Sequence, residues 1–327
     1  MYFGEFVGNE QAKSLLSAAI DSGRLPHAIL IEGPAGSGKR MLAHLIAQAA
    51  VCTENEKPCG SCAQCLKAKT GHADITVLQG DGSAKSLSVG IIREIREQAS
   101  VVPNEAAHKV VIIADADCMN VQAQNALLKI LEEPPSYMVF ILTAKSRTAF
   151  LPTVQSRCVC VSVLGVTEHE ALPVVRKQLP GIPDKDLIDR VRLFSGCIGA
   201  VINSASEDGF AKTIEHIKTV SAAILAPQEL ALMKATAPLE KDKPLTDAVL
   251  NGVRLVLRDA LTHAAGGTST VSVAPDIAKT LATTLTDRQL MACMAVIGEL
   301  TDARSRNMNQ ALLITLLCAR LRAAAGR

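Results

Sequence analysis

The sequence predicts an α/β protein built on a parallel sheet, with an all-helical C-terminal part. Three observations carry this reading. Short continuous apolar runs alternate with helical stretches over the first 163 residues. A glycine-rich turn, Gly33-Pro34-Ala35-Gly36-Ser37-Gly38-Lys39-Arg40, lies between one such run and a helix. After Gly165 the strand-like runs stop. Strands that are apolar throughout, rather than alternating, belong to sheets covered by helices on both faces.

Each element has its own signal. Asn9 is placed to cap a helix running to Gly23, and Ala28 to Glu32 reads as a buried strand. A helix from Lys39 to Val51 follows the turn, and Asp74 to Leu78 is a second strand. Ser88 is placed to cap a helix with Val89, Ile92, Ile95 and Ala99 at helical spacing. Val110 to Ala114 is a third strand, and Asn120 opens a helix through Leu131 that Pro134 and Pro135 stop. Met138 to Thr143 and Cys158 to Val163 complete the sheet. Helices are expected near 168–179, 184–194 and 197–205, then throughout from Phe210. In that last part Leu250, Val253, Leu257 and Leu261 form one stripe, Leu290, Met294 and Ile297 another, and Leu312, Leu316 and Leu317 belong to the final helix. Pro238 to Pro244 and Ala265 to Thr270 read as loops.

Composition narrows the function. The chain has 327 residues, 48% hydrophobic but only 2% aromatic, with no Trp. Two domains are the first expectation and three are compatible with the length. So few rings count against a protein that stacks single-stranded bases on aromatic platforms. With 34 basic and 32 acidic residues the net charge is +2, so any contact with nucleic acid or membrane must be local. The longest apolar run, Ala311 to Ala319, contains Thr315 and is about half the ~20 residues a membrane span needs. No basic segment precedes an apolar stretch at the N-terminus, so no secretory signal and a cytoplasmic location are expected.

The glycine-rich turn has the strand–loop–helix context of a Walker A phosphate loop, in which Gly33, Gly36, Ser37 and Gly38 would wrap phosphate with backbone N–H groups and Lys39 would reach the outer phosphates. Two parts of its metal site are absent. Position 40 should carry the hydroxyl that ligates magnesium but holds Arg40, a cation that donates only. The strand Val110 to Ile113 should lead into a metal-holding aspartate, but Ala114 stands there, and Asp115 occupies the place of the water-activating carboxylate. Hydrolysis needs magnesium across the β- and γ-phosphates. The reading is a site without ATP hydrolysis, at which ATP or ADP could still bind.

Ten cysteines divide into a cluster and a scatter. Cys52, Cys59, Cys62 and Cys65 lie within fourteen residues, interleaved with Pro58 and Gly60, and read as a closed four-thiolate structural zinc site. A redox pair, an iron–sulfur cluster and a metal-free cluster are the alternatives. Cys118, Cys158, Cys160, Cys197, Cys293 and Cys318 sit among apolar neighbours and read as small buried residues.

Five groups of residues carry a family resemblance: Gly8-Asn9-Glu10-Gln11; Leu25-Pro26-His27-Ala28; the cysteine module; Gln124-Asn125-Ala126-Leu127-Leu128-Lys129-Ile130-Leu131-Glu132-Glu133-Pro134-Pro135; and Ser156-Arg157-Cys158. Together they resemble the bacterial clamp-loader subunits, AAA+ proteins of the DNA polymerase III holoenzyme. The likeness is strong over the first 163 residues. Beyond them it rests on helical content and on Asn307-Met308-Asn309-Gln310-Ala311-Leu312-Leu313. The resemblance implies three parts: an AAA+ domain over 1–165, a helical lid over 166–208 and a helical collar for oligomerisation over 209–327. The losses at Arg40 and Ala114 align the chain with the delta-prime type rather than the ATP-hydrolysing gamma/tau type. A third departure agrees: the nucleotide-sensing arginine after a Ser-Gly pair is missing, and Gly199 stands about where it would be.

The implied role is that of a stator. Arg157 would act as an arginine finger in the ATP site of a neighbouring subunit, a contact that can be worth ~10³–10⁵ in rate. The implied partners are gamma/tau and delta subunits in a hetero-pentamer, the sliding clamp, and primed template DNA reached through the complex, in a nucleoid-associated replisome. Thr143 matches a sensor position but reads equally as a strand-end threonine. His27 reads as a packed or capping residue, and Glu132 and Glu133 as a solvated helix end. Arg93, Arg96, Lys145 and Arg147 are either DNA-phosphate contacts or solvated charge. Two other readings stay open. In one, Asp115 or Asp117 holds magnesium in an active ATPase. In the other, the chain is a zinc-knuckle DNA-binding module, although Lys57, Lys67 and Lys69 have no aromatic ring beside them.

Overall fold

A computed structural model describes residues 3–79, 90, 92, 95–96, 99–205, 209–305 and 308–327. They form two compact units: Met1–Glu170 with Cys197–Gly199, and Ala171–Gly196 with Ala200–Arg327.

The first unit is built on five parallel strands, β1 (Ala28–Glu32), β2 (Ile75–Gln79), β3 (Lys109–Ala114), β4 (Met138–Ala144) and β5 (Val159–Ser162), in the order β2-β3-β4-β1-β5. Ile141 lies opposite Ile29 on one side and Ile112 on the other. Every residue of β3 and β4 is buried, as uniformly apolar central strands require. The two faces separate by alternation. Leu30, Val111, Ile113, Phe140 and Leu142 pack with Leu127 and Ile130 of the helix Val121–Glu132, while Ile29, Ile31, Val110, Ile112 and Ile141 pack with Leu42 and Ile46. The helices are α1 (Glu10–Asp21), α2 (Lys39–Val51), α3 (Ala63–Thr70), α4 (Val121–Glu132) and the single turn α5 (Pro152–Gln155).

Several local expectations change. Asn9 does not cap α1 with its side chain. It sits in the left-handed region at φ 54°, and its amide and carbonyl groups pair with the backbone of Leu164 at 3.0 and 2.8 Å. Tertiary pairing over 155 residues has taken the groups a cap would use. β2 starts at Ile75 rather than Asp74, whose backbone N–H donates to Nδ1 of His72 at 2.9 Å and whose carboxylate accepts the N–H groups of Asn104, Glu105 and Ala106. Helix α3, within the cysteine module, had no periodic apolar signal and was not anticipated. The helix expected from Ser88 lies partly outside the described residues, as do Ser88, Val89 and Arg93; Ile92, Ile95 and Ala99 are buried in the sheet's core.

Beyond residue 166 the described residues are helix and loop only: α6 (Glu168–Gln178), α7 (Asp184–Leu193), α8 (Ile198–Ala205), α9 (Phe210–Ala223), α10 (Glu229–Thr236), α11 (Lys243–Ala264), α12 (Pro275–Thr284), α13 (Asp287–Ser305) and α14 (Gln310–Ala324). Within the second unit one core gathers Leu193, Ile217, Leu250, Val253, Leu257, Leu290, Ile297 and Leu317, with Leu261 and Met294 packed against it. Leu193 also ties its helix to α11, its carbonyl accepting from Nδ2 of Asn251 at 2.5 Å. One detail differs from expectation. Pro244 lies in the first turn of α11, where a missing N–H costs nothing, and Asp242 caps that helix by accepting from the Leu245 N–H at 2.9 Å. Leu312, Leu316 and Leu317 lie in α14 as expected; Leu317 is buried in the core with Leu313, and Leu312 is half exposed. No helix among the described residues is long and apolar enough to cross a membrane.

Candidate functional site

The phosphate-type loop is assembled at the C-terminal end of β1, where α2 begins. Gly38 has φ +95°, and a Cβ there would lie 2.8 Å from the ring of Phe6, so glycine is required both for conformation and for close approach. Lys39 is 8% exposed. Its ammonium donates to the carbonyls of Gly33 at 2.9 Å and Pro34 at 2.8 Å. Burial lowers its pKa, with Asp115 and Asp117 opposing.

Arg40 reaches across to β3. Its Nη2 lies 2.6 Å from Oδ2 of Asp115, each side chain half exposed. The backbone N–H of Asp115 donates to Oγ1 of Thr143 at 3.0 Å, joining the ends of β3 and β4. Three residues that the sequence placed at nucleotide-site positions are therefore brought together, but by an ion pair and a hydrogen bond of their own. Gly199 also reaches the loop. Its N–H donates to the Gly36 carbonyl at 2.9 Å, and a Cβ at Gly199 would lie 3.0 Å from that oxygen. Cys197 is buried beside this point, where burial raises its thiol pKa and Lys39 opposes the rise.

The four clustered cysteines also converge. Their Sγ atoms all lie within 4.8 Å of one another, with Cys52 and Cys62 at 3.9 Å and Cys59 and Cys65 at 3.8 Å. A tetrahedron of sulfurs at ~2.3 Å from zinc has edges of about 3.8 Å. The donor set and its spacing therefore fit a tetrahedral thiolate-bound metal ion. The local fold supports the thiolates. Backbone N–H groups of Cys62 and Cys65 donate to Sγ of Cys59 at 3.2 Å and of Cys62 at 3.4 Å, and Ser61 donates its hydroxyl to Cys59. For Cys62, burial works against ionisation, but the amides of Thr53 and Cys65 prevail and bring its pKa down to about 6. The module is anchored to α2 by Gln48, whose Nε2 donates to the Cys65 carbonyl at 3.0 Å.

Of the scattered cysteines, Cys197, Cys293 and Cys318 are buried as expected, whereas Cys118, Cys158 and Cys160 are half-buried against the sheet's core. His27 is exposed rather than packed. Arg96 and Lys145 are exposed, and Arg147 is exposed with its Nε 3.6 Å from Glu32.

Arg157 follows the turn α5. Its Nη2 lies 2.7 Å from Oε1 of Glu132, and its Nη1 donates to the Thr153 carbonyl at 3.0 Å. By residue type and position alone Glu132 reads as a solvated helix end. One signal could have marked it: a carboxylate at a helix C-terminus opposes the helix dipole and needs a compensating cation. Nothing in the sequence placed Arg157 there, because the two are joined only by the fold.

A five-stranded parallel sheet with a phosphate-type loop after β1 and a helical C-terminal part is the architecture of an AAA+ P-loop protein. Comparisons identify the family. A family model described as "DNA polymerase III, delta subunit" matches residues 8–166. The DNA polymerase III subunit delta' of Pseudomonas aeruginosa is 31% identical over 243 residues, covering 72% of this chain and 73% of that one. The delta' subunit of Escherichia coli is 28% identical over 316 residues, 94% of this chain and 92% of that one. The gamma/tau subunit of Mycobacterium tuberculosis is 36% identical over 158 residues, 47% of this chain but only 27% of that one, so the chain matches about a quarter of that relative's length. The chain belongs to the family of DNA polymerase III clamp-loader subunits.

Proposed function

We propose that this chain is the delta-prime-type stator of a bacterial clamp loader, which helps place the sliding clamp on primed template DNA without hydrolysing ATP itself. In this reading it joins gamma/tau and delta subunits in a hetero-pentamer in the cytoplasm. Its C-terminal helices act as the lid and the collar, and Arg157 enters the ATP site of a gamma/tau neighbour. The observation that carries it is the Arg40–Asp115 pair, 2.6 Å apart: a cation stands where a hydrolysing site has its magnesium hydroxyl, and it ties up the carboxylate at the water-activating position. A guanidinium cannot ligate a metal, and Ala114 offers no ligand. Near-full-length likeness to the E. coli delta' subunit supports the same choice over gamma/tau.

The ATPase alternative needs Asp115 or Asp117 to hold magnesium. Asp115 is already paired with Arg40, which disfavours it. Within the proposal the four cysteines hold zinc structurally, because four thiolates close the coordination sphere and leave no open position for chemistry. ATP or ADP at the loop would meet Lys39 and the loop amides only.

The test is reconstitution of the full-length chain with gamma/tau- and delta-type subunits. Arg157→Ala should leave assembly unchanged and remove turnover at the neighbouring ATP site, a loss on the order of 10³-fold at that site. Clamp- and DNA-stimulated ATPase equal to wild type would sink the assignment. Steady-state hydrolysis by the isolated chain would favour the ATPase alternative.

A further inference from the structure

We infer that Glu132 is a positioning residue for Arg157, fixing the direction in which its guanidinium is presented to a neighbouring nucleotide site; this rests on the arginine-finger reading above. Glu132 is the last residue of α4, where the free carbonyls carry partial negative charge. A carboxylate there is electrostatically misplaced for the helix itself. Its Oε1 instead meets Nη2 of Arg157 at 2.7 Å.

Arg157 is held at a second point. Its Nη1 donates to the Thr153 carbonyl at 3.0 Å, an acceptor in the turn α5. The guanidinium therefore bridges the ends of two helical elements, and both are fixed against the sheet: Leu127 and Ile130 of α4 and Val154 of α5 lie in one core. A planar group held at two of its nitrogens cannot swing about its long side chain. About a third of the Arg157 side-chain surface stays open to solvent, so donor edges remain for an incoming phosphate.

Stability does not explain this arrangement. Glu132 is half exposed, and exposed ion pairs add little to folding. Preorganisation does, because a transition-state contact supplied by a flexible arginine loses rate when its geometry is left unset, and small misplacements can cost about a hundredfold.

The test is a double-mutant cycle in the assembled full-length complex, read as clamp- and primed-DNA-stimulated ATP turnover. Glu132→Ala should lower kcat by about tenfold or more while KM for ATP, assembly and the thermal midpoint of the chain stay unchanged. Glu132→Gln keeps an oxygen acceptor in place and should retain more activity than Glu132→Ala. Adding Glu132→Ala to Arg157→Ala should cost nothing further, because the only group it positions is gone. Wild-type turnover in Glu132→Ala, with Arg157→Ala impaired, overturns the positioning role. A Glu132→Ala loss that persists in full on the Arg157→Ala background overturns it too, by showing that Glu132 acts elsewhere. If Arg157→Ala itself has no effect, the arginine-finger reading fails and this inference falls with it.

Discussion

The guanidinium of Arg40 and the carboxylate of Asp115 lie 2.6 Å apart across the mouth of the phosphate-type loop, joining the first turn of α2 to the end of β3. In a hydrolysing P-loop the first of these positions carries a hydroxyl that ligates magnesium and the second a carboxylate that activates water. Here a side-chain cation takes part directly, and no metal ligand remains at positions 40 or 114.

One prediction follows from the two separate losses. Arg40→Ser restores the hydroxyl but frees Asp115 without supplying the second ligand. The isolated Arg40→Ser chain should therefore show no magnesium-dependent phosphate release above wild type. Arg40→Ser combined with Ala114→Asp restores both ligands and should gain measurable magnesium binding, followed by isothermal titration. Magnesium-dependent ATPase in the wild-type chain would contradict the premise.

The cysteine module predicts one equivalent of zinc per chain, measured by elemental analysis of protein purified without chelator. Cys59→Ser should lower that content and lower the thermal midpoint, because a metal bound only by the folded chain stabilises it by mass action. Prolonged chelation of the wild type should have the same effect, seen as increased hydrogen exchange in residues 52–70. A metal content well below one equivalent with an unchanged midpoint would count against zinc.

Asp74 gives the fold a defined response to acid. The residue is fully buried, and burial alone would raise its pKa; the three N–H donors from Asn104, Glu105 and Ala106 prevail and hold it below the usual carboxylate range. A depressed folded-state pKa contributes stability that is present above the unfolded value near ~3.9 and lost as pH falls through the folded one. Asp74→Asn should cost about 1–3 kcal/mol near neutrality. The gap between variant and wild type in denaturant titrations should stay constant down to about pH 4 and then shrink. A gap that widens in acid would refute the sign.

Packing of the helical part is tested at Gly252. A Cβ there would lie 2.3 Å from Cδ1 of Ile217, between α11 and α9. Gly252→Ala should destabilise by about 1–3 kcal/mol through overpacking, and Gly252→Ala with Ile217→Val should recover part of it. Wild-type denaturant midpoints for Gly252→Ala would show that α9 gives way freely.

Periodicity and composition made much of this protein legible. The uniformly apolar runs of β1, β3 and β4 could only be central strands of a covered sheet, and their positions were readable to within a residue. Asn120 announced α4 because a cap is a local device: its side chain accepts from the Ala123 N–H at 2.8 Å. Asn9 looked the same in sequence and did otherwise, because Leu164, far along the chain, competed for the same polar groups. The short helix α3 carried no periodic signal, since its burial is limited to Cys65.

The sequence by itself determined the chemistry available at each place: a phosphate-type loop without a magnesium hydroxyl at position 40, four thiols at knuckle spacing, and an arginine after Ser156. Those are properties of residue type and short spacing, fixed by the local chain. Only tertiary structure decided what each charge does. Arg40 meets Asp115, 75 residues away, and Arg157 meets Glu132, 25 residues earlier in the chain. Such pairings depend on which strand and helix ends the parallel sheet brings side by side, and no local periodicity encodes that.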